Sequence, residues 1–230
     1  MFTTKATRLF SILLLLSVIF LNSCKKTEKL VVEKYSYIRI VNASPGVGTY
    51  NVYANDKIMN AAAIPFGGTI AYKTFEPNTH TFKFTSASST TSLFTKEFSL
   101  KANEVSSLYL IGKPGQLEGL FVFDANQDVS LSQKSFIRFI NLSPDAPALD
   151  LNVVGASAVT TNRPYKAYST FAEVEAKKYS FEIKDSATGA VKATLTDVDF
   201  AAGRYYTIVA RGLLNPGVNE QPFSAQSIIN

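Results

Sequence analysis

The side chains with the greatest chemical capacity in this sequence are few. His80 is the only histidine, Cys24 the only cysteine, and tryptophan is absent. A lone imidazole could act as a general base. It stands, however, in His80-Thr-Phe-Lys-Phe84, where the even positions form one apolar face of a strand. Asp145 and Asp150 could offer two hard oxygen ligands to Ca²⁺. Two carboxylates are fewer than a tight site wants, and turn and edge roles suit them better. Glu76 and Glu175 could be the paired carboxylates of a glycoside hydrolase. Each flanks a turn instead, in Glu76-Pro77-Asn78 and Glu175-Ala176-Lys177. The sequence holds no Gly-x-Ser-x-Gly elbow, His-Glu-x-x-His pair or phosphate loop. The residue types therefore point away from catalysis, and no cofactor or metal is expected. Aromatic stacking is the remaining chemistry: Tyr53, Tyr72, Tyr165, Tyr168, Tyr205 and Tyr206 could meet a sugar face or a protein partner. Outward tyrosines are also good strand formers in their own right.

Composition narrows the classes further. The 230 residues are 46% hydrophobic and 18% charged, too apolar for a disordered chain. One cysteine excludes a disulfide framework and multi-cysteine metal sites.

The N-terminus reads as an address. Lys5 and Arg8 precede an apolar run from Leu9 to Leu21. As a helix the run would span roughly 20 Å, short of the roughly 30 Å of bilayer hydrocarbon. It reads as the core of a secretory signal. Leu21-Asn-Ser-Cys24 resembles the bacterial lipoprotein signal, cut before a cysteine that is then acylated; Asn22 departs from the small or apolar residue usual there. The resemblance implies lipid attachment at Cys24, palmitate among the acyl chains, and a membrane partner through that anchor. The alternative is an ordinary secretory signal with an incidental cysteine. Removal of residues 1–23 takes away two basic residues and no acid, leaving 21 basic against 18 acidic. That excess is too mild to suggest a nucleic-acid partner. Lys25 and Lys26, with no Asp after the cysteine, favour the outer membrane over retention at the inner one.

The rest of the chain is one unit written twice. Tyr37-Ile-Arg-Ile-Val-Asn-Ala-Ser-Pro45 aligns with Phe136-Ile-Arg-Phe-Ile-Asn-Leu-Ser-Pro144, identical at five of nine positions. Phe66 pairs with Tyr165, His80 with Tyr179, Gly112 with Gly212, and Pro114-Gly115 with Pro216-Gly217. Segments rich in Val, Ile, Thr, Tyr and Phe, separated by turn residues, predict strands near 36–42, 50–54, 69–75, 79–86, 92–99, 105–112 and 118–123. The second unit repeats them near 135–141, 149–154, 168–174, 178–185, 190–199, 204–212 and 221–228. Both Pro-Gly pairs suit type II turns. In Asn-x-Ser-Pro, the Asn and Ser side chains suit bonds to nearby backbone, with proline fixing the exit from the first strand.

The stretch Ile137-Arg-Phe-Ile-Asn-Leu-Ser-Pro-Asp-Ala-Pro-Ala-Leu-Asp150 resembles the opening of the domain-of-unknown-function 4397 family. The first unit keeps Arg39, Asn42, Ser44 and Pro45 but has Gly46-Val47-Gly48 where the family has Asp-Ala-Pro. The resemblance implies a sandwich-like fold and an extracytoplasmic location, and no activity. The expected fold is all-β: two tandem antiparallel immunoglobulin-like β-sandwich domains after a cleaved lipoprotein signal peptide. Its parts are the signal at 1–23, the acylated cysteine and tether at 24–35, the first sandwich at 36–126, a linker at 127–134, and the second sandwich at 135–230. The expected role is binding or structural, in the cell envelope, facing the surface or the periplasm. A glycan-binding accessory lipoprotein of an uptake system, or a subunit of a surface adhesion assembly, are the alternatives.

Overall fold

A computed structural model describes residues 34–124 and 128–230. Among the described residues the chain is all-β, with no helix and sixteen strands. The first repeat holds β1 (Ser36–Asn42), β2 (Tyr50–Ala54), β3 (Lys57–Ile58), β4 (Thr69–Phe75), β5 (Thr79–Ser86), β6 (Ser92–Ser99), β7 (Val105–Ile111) and β8 (Glu118–Phe123). The second holds β9 (Lys134–Asn141), β10 (Leu149–Val153), β11 (Ala158–Arg163), β12 (Ala172–Glu175), β13 (Lys178–Asp185), β14 (Val191–Asp199), β15 (Arg204–Arg211) and β16 (Ser224–Ile229).

Each repeat builds two four-stranded sheets, ordered β4-β1-β7-β8 and β3-β2-β5-β6 in the first, and β12-β9-β15-β16 and β11-β10-β13-β14 in the second. The alternation expected along the strands holds, because period 2 sends successive side chains to opposite faces. Ile38, Ile40, Leu108 and Leu110 from one sheet meet Val52, Phe82 and Phe84 from the other. Ile137, Phe139 and Ile208 meet Leu149, Leu151, Phe181 and Ile183 in the second repeat.

Four features depart from the sequence reading. The sheets are not purely antiparallel, since β1 runs parallel to β7 and β9 parallel to β15. Long connections join these partners, and only such a crossover lets two strands of one chain run the same way. The edge strands β3 and β11 were not expected. The strand foreseen at 168–174 forms only as β12, with Tyr168 held by one isolated bridge to Ile140. Of the two Pro-Gly turns, Gly115 adopts φ 84° as a type II turn requires, whereas in the second copy Asn219 takes the left-handed position at φ 65°. There the Gly217 N–H donates to Glu220 Oε2 at 2.7 Å, which holds a different loop.

A third apolar core joins the repeats. Val41, Ala43, Tyr109, Ile111 and Val122 of the first pack with Ile140, Leu142, Val209 and Ile228 of the second. The sheets carrying β1 and β9 are therefore covered on both faces, which explains the almost unbroken apolar runs of these two strands. Backbone bonds reinforce the junction: Gln221 N donates to Pro45 O at 2.7 Å, and Val47 N to Asn219 O at 3.2 Å.

Candidate functional site

Most residues singled out for chemistry are committed to the fold. Asn42 Oδ1 accepts from Ser44 N at 3.1 Å and its Nδ2 donates to Ile64 O at 3.2 Å. Ser44 Oγ donates to Gly112 O at 2.8 Å. In the second copy Asn141 Oδ1 accepts from Ser143 N at 3.1 Å, and Ser143 Oγ donates to Gly212 O at 2.8 Å. The motif thus ties the exit of β1 or β9 to the loop after β7 or β15. Both glycines adopt φ near 80° (81° and 82°). A Cβ there would lie 2.2 Å from Gln116 O or 2.1 Å from Pro222 O, so only glycine fits.

The two aspartates stand apart in their bonding. Asp145 accepts from Leu214 N and Asn215 N, each at 2.9 Å. Asp150 Oδ1 accepts from Asn162 N at 2.7 Å and from the Ser186 hydroxyl. His80 is buried with both ring nitrogens engaged: Asn55 Nδ2 lies 2.9 Å from Nδ1, and Nε2 lies 2.8 Å from Glu76 O. Since a carbonyl only accepts, the proton sits on Nε2. Glu175 pairs with Lys134 on the surface. Tyr206 is buried in the second core, while Tyr205 lies beside Phe136 and Phe171 at centroid distances of 5.0 and 4.6 Å. Tyr165 is half-buried, its phenol pushed up to about 12 by burial and then by Glu118. Lys83 stands 4.9 Å over the Tyr53 ring, and Tyr168 is exposed. Cys24 lies outside the described residues.

The densest concentration of polar chemistry was not foreseen, and it lies between the repeats. Asp124, which opens the polar stretch after β8, is buried. Its Oδ2 accepts from the Tyr72 and Ser107 hydroxyls, each at 2.6 Å. Its Oδ1 pairs with Arg138 of the second repeat, and both side chains are almost fully enclosed. Arg138 also donates to Phe123 O at 2.7 Å and to Thr207 Oγ1 at 2.9 Å. Tyr72 reaches this layer because β4 carries a bulge: Ile70 pairs with Ile40, yet Lys73 pairs with Ile38. The extra residue turns Tyr72 to the face opposite Ile70. Burial, and next the Asp124 carboxylate, push the Tyr72 phenol far above its ordinary value.

The equivalent positions in the other repeat differ. Thr207 Oγ1 donates to Asn230 Oδ1 at 2.9 Å, as Ser107 does to Asp124, but Asn230 brings no carboxylate from its side chain. Arg39, equivalent to Arg138, stacks 4.2 Å over the Tyr72 ring and leaves a buried Nη1 without a partner. The cluster thus holds two guanidinium groups and one side-chain carboxylate. With Asp124 saturated by Tyr72, Ser107 and Arg138, the cluster fastens one repeat to the other. Arg39 and Arg138 in the shared Ile-Arg motif were the one available signal, hidden because surface arginines are the usual case.

Open grooves mark the surface. One of about 720 Å³ is lined by Val153, Val154 and Tyr179, with Lys134, Lys177 and Glu173 among its charged residues. A second, of about 330 Å³, runs between residues 59–64 and the outer edge of β4. Among the described residues no group of three or more His, Cys, Asp or Glu side chains could hold a metal ion.

The sequence model described as Domain of unknown function (DUF4397) matches residues 36–152. No curated protein matches the chain. Among solved structures, the C-terminal domain of AlgF from P. aeruginosa is similar at 18% identity and TM-score 0.32, over 43% of this chain and 99% of that one. A family 26 carbohydrate-binding module of Eubacterium rectale Amy13K, solved with maltoheptaose, is similar at 11% identity and TM-score 0.26, over 84% and 96%. A family 41 module from streptococcal virulence factors, described for alpha-glucan recognition, gives 10% and 0.23, over 83% and 96%.

Proposed function

We propose that this chain, which belongs to the DUF4397 family of domains of unknown function, is a non-enzymatic lipoprotein of the cell envelope with a binding or structural role. One observation carries the reading: the only cysteine stands directly after a signal-like apolar run, in Leu21-Asn-Ser-Cys24. Cleavage before Cys24 and acylation there would tether the folded part through residues 25–34. Two or three acyl chains make such anchoring stable, where one would hold only marginally. We assign the outer membrane, and read each sandwich as immunoglobulin-like, with the two packed four-stranded sheets of each repeat in support. The non-enzymatic reading is supported by His80, Asp145 and Asp150, each of which is engaged by backbone or neighbouring side chains.

The test is fractionation of cells expressing wild type or Cys24→Ala, with protease treatment of intact cells followed by immunoblot. Wild type is expected in the membrane fraction and the variant released. An unchanged membrane fraction for Cys24→Ala would sink the anchor. Digestion in intact cells would assign the protein to the surface, and protection to the periplasmic side.

A further inference from the structure

We propose that the outer edge of β4 is a docking site for a single extended segment of a partner polypeptide, which joins the sheet as an added strand. The inference deepens the binding role proposed above. The strand Thr69–Phe75 has seven residues and closes one side of its sheet, pairing only with β1 among the described residues. Such an edge leaves a row of N–H and C=O groups facing outward, and what satisfies them best is another backbone. Its sequence, Thr-Ile-Ala-Tyr-Lys-Thr-Phe, is β-prone, lacks proline and carries one charge, Lys73. These are weak defences for so long an edge.

The second copy of the unit did not keep this feature. There the equivalent strand β12 has four residues, and the strand before it, β11, has six where β3 has two. Two copies of one unit therefore differ at this edge, where the first is open and long.

The edge also has a groove beside it, of about 330 Å³, with Thr69, Ala71 and Lys73 on one wall and Met59, Ala61 and Ala62 on the other. The far wall is fastened: Asn60 Oδ1 accepts from Val52 N at 2.8 Å, its Nδ2 donates to Ala62 O at 2.8 Å, and Ile64 N donates to Tyr50 O at 2.8 Å. Neighbouring strands lie about 4.8 Å apart and packed sheets about 10 Å. A groove of about 330 Å³ walled by the 59–64 loop offers the edge room for one extended chain, whereas a second sheet edge would have to displace that fastened loop, which argues against self-pairing between copies. The lining sets the chemistry of the occupant. Alanine and methionine walls take small apolar side chains at alternate positions, and Lys73 at the rim favours an acidic residue beside them.

The full chain in detergent micelles would be screened against a phage-displayed library of random linear peptides. Enriched peptides would then be synthesised and titrated. The expected peptides alternate small apolar residues and include an acid. They should slow hydrogen exchange across Thr69–Phe75. Ala62→Trp, which fills the groove from an exposed position, should weaken binding at least about tenfold. Ala156→Trp, exposed on the second repeat, should leave it unchanged. If Ala62→Trp does not fold, Lys73→Glu replaces it and should reverse the preference for acidic peptides. No enrichment, equal binding by Ala62→Trp, or protection confined to other strands would overturn the proposal. Self-association abolished by Ala62→Trp would replace the partner segment with a second copy. Because the Cys24→Ala fractionation reads only the anchor, failure of either test leaves the other standing.

Discussion

Replacing Asp124 by Asn removes one charge from the layer between the repeats and almost nothing else. The amide oxygen can still accept from Tyr72 and Ser107, now 2.6 Å from the carboxylate. What is lost is the countercharge of Arg138, whose side chain is 2% exposed against 1% for Asp124. Arg39, already without a bond at Nη1, loses its neighbouring anion as well. Breaking one side of a buried ion pair costs about 3–5 kcal/mol, because the surviving charge stays out of water uncompensated. For a folded part of this size each kcal/mol shifts the melting temperature by about 2–4 °C, so the expected fall is about 6–20 °C. Thermal unfolding followed by circular dichroism and calorimetry would measure it. The double change Asp124→Leu with Arg138→Met should recover much of the loss, since an apolar pair of similar volume is often neutral or better. A fall of less than about 2 °C for Asp124→Asn would refute the claim that this pair is buried and paired as described.

The serine anchors allow a paired comparison. Ser44→Ala and Ser143→Ala each leave a buried glycine carbonyl without its donor, an expected cost of about 1–3 kcal/mol in urea unfolding; no change in either would show that the motif does not fasten the loops. Acid should loosen the junction between the repeats. The Glu220 carboxyl is held below its ordinary value of 4.5 by the Gly217 N–H first and Lys113 next. A lowered folded value means that its contribution is present above pH 4.5 and is lost as pH falls through the lower folded value. Asp185 is also lowered from 3.8, chiefly by the Ala187 N–H. Melting temperatures between pH 6 and pH 2 should therefore decline most below about pH 4.5, and Glu220→Gln should flatten part of the decline.

Strands with alternating faces were legible in the sequence because a period of 2 is a local property. Phe82 and Phe84 announce their core in five residues, and Phe181 and Ile183 repeat it. Edge strands β3 and β11 were not legible, since two or six residues of mixed polarity carry no such period. The layer between the repeats depends on partners far apart in sequence. Val41 and Ile140 looked like one more apolar position in a strand, and nothing local says that the second face is covered by the other copy. Asp124 was hidden more thoroughly, at the head of a polar stretch that reads as a connector. Its burial follows from Arg138 and Tyr72, and Tyr72 reaches it only through a bulge that strand propensity does not reveal. The Pro-Gly turn of the second copy misled for a different reason. A carboxylate three residues on, Glu220, captured the Gly217 N–H and moved the left-handed residue to Asn219.

The shared apolar layer gives the chain a history and a timetable. The first repeat is complete at Asp124, yet Val41, Tyr109, Ile111 and Val122 wait for Val209 and Ile228, about a hundred residues later. During synthesis, the leading half presents a bare oily face until the trailing half arrives. A prematurely terminated chain would be an aggregation hazard rather than a smaller working protein. The same layer also restrains divergence after the ancestral duplication. Asp124 and Asn230 occupy matching places, and a charge lost at Asp124 is felt by Arg138, which belongs to the other copy. The two halves therefore age as one inheritance, free to drift on their outer surfaces and bound to each other at the seam.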